Sequence, residues 1–219
     1  ALFQKENNID GSGGTVVGAY TIKALGVTLL PKDKPLIIIK TTDADRILFL
    51  GGGIVTQNIP FNDVYSSDTM QQWNLISPNG STPKWSKKFY PEAFYFDNKY
   101  WVIGGMTNIN STTSMDNSVW SSPDGTSWSL VANTVPFSDY AGFKVATLNS
   151  KIYVIGGRFA TSGALSEAKV WSSTDGVNWL TDTSSAPFGP RVGHEVVTLN
   201  GKIYVIGGMN PTNSTPSQY

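Results

Sequence analysis

A short run of apolar residues that ends in paired glycines occurs four times along this chain. Residues 202–208 read Lys-Ile-Tyr-Val-Ile-Gly-Gly. Closely related sequences occur at 151–157 and 99–105, and a more distantly related one occurs at 46–53. Successive side chains of a strand point to opposite faces, so Ile203 and Val205 share one face. Tyr204 and Ile206 share the other. Because both faces are apolar, the pattern predicts a strand that lies between neighbouring sheets.

Tight-turn signals precede each of these strands. Asn200-Gly201 separates the run at 195–199 from the strand at 202–206. Asn-Gly between two apolar runs is the strongest short signal for a β-hairpin. Its counterparts turn through Asn149-Ser150, Asp97-Asn98 and 43–45. Each repeat therefore begins with two paired strands, here named a and b, and strand b ends in the glycine pair.

A second hairpin follows each of the first three glycine pairs. Its first strand, c, reads Val-Trp-Ser-Ser at 119–122 and 170–173, and Val-Tyr-Ser-Ser at 64–67. The last strand, d, opens with a tryptophan nine residues after that valine: Trp73, Trp128 and Trp179. Asp-Gly lies between c and d at 124–125 and 175–176, where glycine supplies the positive φ of a tight turn. The unit is predicted to be a four-stranded antiparallel sheet.

The glycine pairs recur about every 52 residues, and a period of this size made only of strands is typical of propeller blades. No stretch has a convincing helical period. The sequence thus predicts an all-β protein, in which the tryptophans pack between adjacent sheets and bury large flat areas.

These repeated sequence motifs resemble the kelch repeat. The resemblance rests on Gly-Gly after Ile-Tyr-Val-Ile, on the spaced tryptophans, and on Pro-Arg-Val-Gly-His at 190–194, and it covers about 36–219. It departs from the repeat where Tyr140 and Lys88 occupy positions equivalent to Arg191, and where Met70 replaces the turn glycine. The Ser-x-Asp-Gly-x-x-Trp hairpins also resemble a shortened Asp-box, which is a structural turn. The resemblance implies a kelch-type β-propeller of four-stranded antiparallel blades.

The number of blades has two interpretations. Units at 36–79, 93–132 and 144–183 contain all four strands, whereas the fourth has only a and b. Residues 1–35 carry strand-like runs at 15–20 and 25–30 that could supply strands c and d and close a four-bladed ring. Alternatively, 36–219 is part of a larger ring of six or seven blades, as the resemblance implies, and 1–35 is a linker or belongs to a preceding region.

Composition and charge exclude several classes of function. Sixteen basic residues balance sixteen acidic ones, and no basic run is present, so we expect no nucleic-acid partner. No apolar run is long enough for a membrane span, and we expect no membrane insertion. There is no cysteine and only one histidine, His194, so we predict no metal site and no cofactor. The copper site of the galactose oxidase relatives of kelch proteins therefore cannot be built here.

Antiparallel connectivity places the a–b and c–d turns at one end of the sheets, the turn face. The b–c and d–a loops lie at the other end, the loop face. Loops that vary on a rigid repeated scaffold are where ligands usually bind. Aromatic rings beside Arg and Lys suit a protein surface or a sugar ring. The predicted binding residues of the loop face are Trp85, Lys88, Tyr90, Tyr140, Arg158, Phe159, Phe188, Arg191 and His194.

The sequence is interpreted as a noncatalytic binding module for a protein or glycan, with a role in adhesion or receptor binding. No catalytic residue is predicted, because no two carboxylates form a motif and no nucleophile elbow is present. The alternative is a carbohydrate-active enzyme like the sialic-acid mutarotases among kelch proteins, with Arg158, Arg191 and His194 holding an acidic sugar. The abundance of Ser, Thr and Asn favours an extracellular or cell- or virion-surface setting, with the cytoplasm as the alternative. We also expect the chain to work within a larger chain or assembly.

Overall fold

The chain consists of short antiparallel strands. The structure, a computed structural model, describes residues 4–5, 20–21, 23–24, 27–28, 36–40, 46–54, 57–68, 72–108, 115–137, 142–157 and 168–210. The described strands are β1 (Gln4–Lys5), β2 (Tyr20–Thr21), β3 (Lys23–Ala24), β4 (Val27–Thr28), β5 (Leu36–Lys40), β6 (Arg46–Ile54), β7 (Ile59–Ser67), β8 (Asn74–Ser77), β9 (Glu92–Phe96), β10 (Lys99–Ile103), β11 (Val119–Ser122), β12 (Ser129–Ala132), β13 (Lys144–Leu148), β14 (Lys151–Ile155), β15 (Val170–Ser173), β16 (Leu180–Thr183), β17 (Val192–Leu199) and β18 (Lys202–Met209). None of these residues forms a helix of the length and hydrophobicity that crossing a bilayer needs.

Three four-stranded antiparallel sheets form blades 1, 2 and 3, which are β5–β8, β9–β12 and β13–β16. The sequence prediction of all-β, four-stranded units is confirmed. Equivalent residues keep the same pairing: Ile103 lies opposite Val119 in blade 2, and Ile155 lies opposite Val170 in blade 3. In each blade the register of strands c and d shifts just after the valine of strand c. The repeat is therefore structural as well as sequential.

The paired glycines are required by close approach between blades. Gly104 in blade 2 and Gly157 in blade 3 both have positive φ, +64° and +90°. A Cβ on Gly104 would lie 2.5 Å from Cζ of Phe143, and one on Gly157 would lie 2.6 Å from the Phe143 backbone nitrogen. The start of strand a in blade 3 is thus wedged against two strand-b ends, and only glycine leaves room for it.

The Asp-Gly turns of blades 2 and 3 share one hydrogen-bond pattern. In blade 2, Ser122 Oγ accepts from the Gly125 backbone nitrogen at 2.8 Å, and Trp128 Nε1 donates to the Gly125 carbonyl at 3.0 Å. Asp124 Oδ1 accepts from the backbone N–H groups of Thr126 and Ser127, each at 2.8 Å. The same bonds join Ser173, Asp175, Gly176 and Trp179 in blade 3. The turn is a structural element, as the resemblance to an Asp-box implied.

The hydrophobic core lies between the blades. We call the forward face of a blade the face that packs on the next blade in chain order, and the opposite face its rear face. The first core joins the forward face of blade 1 to the rear face of blade 2: Leu48, Leu50, Val64, Trp85, Tyr100, Val102 and Trp128. The second joins blade 2 to blade 3: Phe94, Trp101, Ile103, Val119, Val135, Phe137, Phe143, Ile152, Val154 and Trp171. Each blade is stabilised by the one beside it.

The fourth unit consists of β17 and β18, and among the described residues β18 pairs with β17 alone. At the N-terminus, β1 pairs with β2, and β3 pairs with β4. Most of the predicted closing strands, at 15–20 and 25–30, lie outside the described residues. Closure of a four-bladed ring by these segments, and its larger-ring alternative, therefore stay predictions.

Candidate functional site

The loop face is formed by the b–c and d–a loops of successive blades. Strand b ends at this face in its glycine pair, and strand a of the same blade begins there. Three of the predicted binding residues lie outside the described residues: Tyr140, Arg158 and Phe159. The other six are Trp85, Lys88, Tyr90, Phe188, Arg191 and His194.

Trp85 lies beneath the loop face rather than on it. Its side chain is 1% exposed and meets the ring of Trp128 edge-on, with centroids 4.5 Å apart. The Asn62 side-chain amide donates to the Trp85 backbone carbonyl at 2.7 Å, and the Gly80 backbone nitrogen donates to Asn62 Oδ1 at 2.7 Å. These bonds tie the d–a loop after blade 1 to strand β7. Trp85 thus fills the core between blades 1 and 2, and its role as a ligand contact stays a prediction.

Lys88 is the buried centre of a polar cluster that joins two loops of blade 2. Its side chain is fully buried, and Nζ lies 3.3 Å from Asp116 Oδ1 and 3.3 Å from Ser118 Oγ. Asp116 also accepts the Ser118 backbone N–H at 2.8 Å and hydrogen bonds from the Ser86 and Ser118 hydroxyls. The cluster therefore fixes the d–a loop that carries Lys88 against the b–c loop that carries Asp116.

The charges in this cluster are set by burial and by each other. Burial lowers the pKa of Lys88 to about 8, although the charge of Asp116 and its hydrogen bond oppose the shift. Burial acts to raise the pKa of Asp116, but the Lys88 charge and the bonds from Ser118 and Ser86 hold it below its usual value. At neutral pH the pair is ionised and serves as an internal ion pair.

Tyr90 and Phe89 lie where strand a of blade 2 begins. Phe89 pairs with Met106 through two backbone hydrogen bonds, of 2.7 Å and 2.9 Å. Tyr90 is half-buried and adopts a φ of +50°, and its ring lies 6.4 Å from that of Phe89. Tyr90 therefore remains partly accessible on the loop face.

Arg191 and Phe188 shape the loop before the fourth unit. Arg191 Nε donates to the Phe188 carbonyl at 3.1 Å, and a second guanidinium nitrogen bonds the same oxygen. The third guanidinium nitrogen, Nη1, donates to the Gly207 backbone carbonyl at 2.7 Å. The guanidinium carbon lies 5.7 Å from the centroid of the Phe188 ring. Arg191 thus holds the loop in place through backbone carbonyls, while part of its side chain stays accessible.

His194 is enclosed between blade 3 and the fourth unit. Its side chain is fully buried, and Nε2 lies 3.1 Å from the Ile155 carbonyl oxygen, so Nε2 carries the hydrogen. Burial lowers the pKa of His194, with the charges of Lys144 and Arg191 adding to the effect and the Ile155 bond opposing it. The ring is therefore neutral near pH 7. The role of His194 in holding a sugar stays a prediction.

A row of alternating charges runs across strands a, and the sequence reasoning missed it. Glu92, Lys144 and Glu195 occupy the same position in blades 2, 3 and the fourth unit. Lys144 Nζ lies 3.1 Å from Glu92 Oε1 and 3.3 Å from Glu195 Oε1. Burial raises the pKa of Glu92 to about 7, although Lys144 opposes this. Burial acts to lower the pKa of Lys144, but the two carboxylates hold it above its usual value.

The described loop face combines charged groups that are bonded to one another or to the backbone with exposed side chains. No group of three or more His, Asp or Glu side chains that could hold a metal ion occurs among the described residues. The groups with perturbed pKa values at this face bond to one another or to the backbone. The loops of this face also expose five neutral side chains and one lysine: Gln57, Ile59, Ser86, Lys87, Thr107 and Met209.

Four-stranded sheets stacked face to face, with glycine pairs at each strand-b end and tryptophan-closed turns, define blades of the kelch β-propeller type. A family profile described as "Kelch motif" matches residues 190–218. The chain thus carries repeats of the kelch type.

Three curated relatives are named for kelch motifs or kelch likeness. The chain is 26% identical over 178 residues to "Rab9 effector protein with kelch motifs" of Mus musculus, a match that covers 76% of this chain and 44% of the relative. The Bos taurus protein of that name is 28% identical, over 78% of this chain and 46% of the relative. "Kelch-like protein 30" of Homo sapiens is 41% identical over 81 residues, 33% of this chain and 13% of the relative. The chain thus spans less than half the length of these relatives.

Proposed function

We propose that the chain is a noncatalytic protein-binding module and that its partner docks on the loop face. One observation carries the proposal. The charged groups Lys88, Asp116 and Arg191 of this face are engaged in bonds that hold loops in place. The loops are therefore preorganised, and a rigid surface loses little conformational entropy when it binds a partner.

The exposed residues of the loop face suit a protein partner. Ile59 and Met209 are 42% and 53% exposed, and the loops of the same face also expose the neutral polar side chains of Gln57, Ser86 and Thr107. Asn58 and Asn108, in the b–c loops of neighbouring blades, are joined by a 3.0 Å side-chain hydrogen bond, which makes the surface continuous across two blades. Apolar side chains among neutral polar groups are the usual composition of a transient protein interface.

The relatives are consistent with this proposal, since two of them are named as effectors of Rab9. The glycan ligand, the adhesion role, the mutarotase-like alternative and the surface localisation stay predictions from the sequence. A glycan array probed with the same protein would test the glycan alternative directly.

The proposal is tested by photocrosslinking from two matched positions. Lys87 is exposed on the loop face, and Lys99 is exposed on the turn face of the same blade. Each is replaced in turn by benzoylphenylalanine, and the protein is irradiated in an extract of its source cells. We expect a discrete protein adduct from position 87 that excess unlabelled protein abolishes, and none from position 99. Equal adducts from both positions, or an adduct from position 99 alone, would contradict a loop-face partner.

A further inference from the structure

Asparagine followed by glycine occurs twice in the chain, at Asn79-Gly80 and Asn200-Gly201, and both dipeptides are exposed. Asparagine is one of the thermolabile residues, because its side-chain amide can be lost without an enzyme. The backbone nitrogen of the next residue attacks Cγ of the asparagine, and a following glycine has no Cβ to obstruct this attack. The rate then depends on how freely the two residues move, and the structure gives these two dipeptides different surroundings.

Asn79-Gly80 is fixed in place by Asn62 of strand β7. The Asn62 backbone nitrogen donates to Asn79 Oδ1 at 3.1 Å, and the Gly80 backbone nitrogen donates to Asn62 Oδ1 at 2.7 Å. Asn62 itself is 3% exposed, and its amide donates to the Trp85 backbone carbonyl. Both reacting groups are therefore bonded to one buried residue, and the Gly80 nitrogen reaches Cγ of Asn79 only after both hydrogen bonds break.

Asn200-Gly201 forms the turn between β17 and β18 and lacks such a restraint. The two residues have φ of +51° and +70°, and positive φ at both positions is what a two-residue type I′ turn requires. The Asn200 side chain makes no hydrogen bond to another described residue. A Cβ on Gly201 would meet no atom of the described residues within 4 Å. Within the described part of the chain, only the turn conformation itself therefore opposes the attack.

We expect this turn to open more readily than the strands that it joins. Ring closure requires Asn200 to leave the type I′ conformation, so that the Gly201 nitrogen comes within bonding distance of Cγ. Leu199 and Lys202 are the last paired residues before the turn, and both side chains are exposed. Few buried contacts thus hold the tip of the hairpin closed, which is the physical condition for local opening.

A third asparagine shows what the glycine contributes. Asn149-Ser150 forms the equivalent turn of blade 3, with φ of +50° and +57°, and both residues are exposed. The backbone conformation and the exposure thus resemble those of Asn200-Gly201, whereas Ser150 carries a Cβ beside the attacking nitrogen. Asn149 is therefore an internal control for the following residue, and Asn79 is an internal control for the surroundings.

We propose that Asn200 is a site of spontaneous deamidation, and that Asn62 protects Asn79 from the same reaction. The Gly201 nitrogen forms a bond to Cγ of Asn200, and Nδ2 leaves as ammonia with the proton that the Gly201 nitrogen gives up. One water molecule then opens the resulting succinimide ring at either of its two carbonyls. The product at position 200 is aspartate or isoaspartate, and the reaction needs no oxidant, cofactor or enzyme.

Isoaspartate at position 200 changes the hairpin as well as its charge. It routes the main chain through the side-chain carbons and so adds one methylene group to a two-residue turn that sets the strand register. Two residues before the turn, Thr198 Oγ1 donates to the Thr147 carbonyl of blade 3 at 3.1 Å. Isoaspartate should therefore loosen both the end of the β17–β18 pairing and this contact with blade 3.

The proposal is tested by incubating the full chain at mildly alkaline pH and measuring deamidation over time by peptide mass spectrometry. Asn79, Asn149 and Asn200 fall in different tryptic peptides, so each conversion is measured separately. We expect residue 200 to convert about tenfold faster than residue 79, because two hydrogen bonds must break before Asn79 reacts. Residue 200 should also convert faster than residue 149, because Ser150 obstructs the attack on Asn149.

The same measurement in urea, at a concentration that unfolds the chain, removes the structural difference. There we expect residues 79 and 200 to convert at similar rates, with residue 149 still slower, since only the following residue then matters. Conversion of residue 200 no faster than that of residue 79 in the folded chain would overturn the proposal. A difference between residues 79 and 200 that persists unchanged in urea would overturn the protective role of Asn62.

Amide hydrogen exchange tests the effect on the hairpin. The isoaspartate fraction of the incubated protein is compared with the variant Asn200→Asp, which carries the new charge without the extra methylene group. Exchange in the peptide that spans 192–199 should be faster in the isoaspartate form than in Asn200→Asp. Equal exchange in the two proteins would show that the register of β17 and β18 tolerates the longer turn and would overturn this part of the proposal.

Discussion

Substitution of alanine for glycine at the same repeat position, at 104 and at 207, should lower the free energy of unfolding by very different amounts. Gly104 and Gly207 have φ of +64° and +65°, so alanine is equally strained by the backbone at both. They differ in what surrounds them. A Cβ at 104 would lie 2.5 Å and 2.9 Å from two atoms of the Phe143 ring, whereas one at 207 would meet no atom of the described residues within 4 Å.

The magnitudes follow from these two contributions. An alanine held in the left-handed region costs ~1–2 kcal/mol, and this applies to Gly104→Ala and Gly207→Ala alike. Gly104→Ala must also displace Phe143, which is 1% exposed and packs edge-on against Phe137 with centroids 5.5 Å apart. Overpacking of this kind costs ~1–3 kcal/mol. We therefore expect Gly104→Ala to lose roughly twice as much stability as Gly207→Ala.

The assay is equilibrium urea unfolding of the two variants and the parent, followed by tryptophan fluorescence. The difference between the variants reports the cost of overlap with Phe143, since the backbone strain cancels. Equal destabilisation by Gly104→Ala and Gly207→Ala would refute the inference that Phe143 covers Gly104 while none of the described residues covers Gly207.

Three further predictions concern the turns, the buried ion pair and the interblade tryptophan. Backbone hydrogen bonds hold the pKa of Asp124 at about 2 against the opposing effect of burial, and bonds from a neighbouring asparagine hold that of Asp175 at about 2. Because both pKa values are depressed, the contribution of these carboxylates to stability is present above about pH 4 and is lost as the pH falls towards 2. The free energy of unfolding of the Asp124→Asn/Asp175→Asn variant, measured against pH, should therefore decline less steeply between pH 4 and pH 2 than that of the parent. Lys88→Met leaves Asp116 buried without its counter-charge and should cost ~3–5 kcal/mol in urea unfolding, with the double variant Lys88→Met/Asp116→Asn costing less. Trp85→Ala should cost ~3–5 kcal/mol in the same assay, and a variant of parent stability would contradict its burial between blades.

The strands and turns could be predicted because their signals are local and repeated. Asn-Gly, Asp-Gly and the glycine pairs fix turns within a few residues, and comparison of the units fixes the register. The alternating charges could also have been found, because Glu92, Lys144 and Glu195 hold one position in three aligned units.

Burial at the loop face could not be predicted from the same signals. Lys88 looks like a surface residue in the sequence, and it is buried because Asp116 meets it from a loop that returns to the same place 28 residues later. Trp85 is buried because a hairpin of the next blade brings Trp128 against it. Such contacts depend on which loops meet in space, and no periodic pattern records them.

The central claim is that each blade covers the forward face of the one before it and that no blade among the described residues covers the forward face of the fourth unit. Thiol reactivity at three equivalent positions of the chain tests this claim most directly, using the single variants Ile103→Cys, Ile155→Cys and Ile206→Cys. The parent side chains at these positions are 0%, 3% and 57% exposed. The account predicts fast modification of the Ile206→Cys thiol and strong protection of the other two under native conditions. Similar rates at all three positions would contradict it.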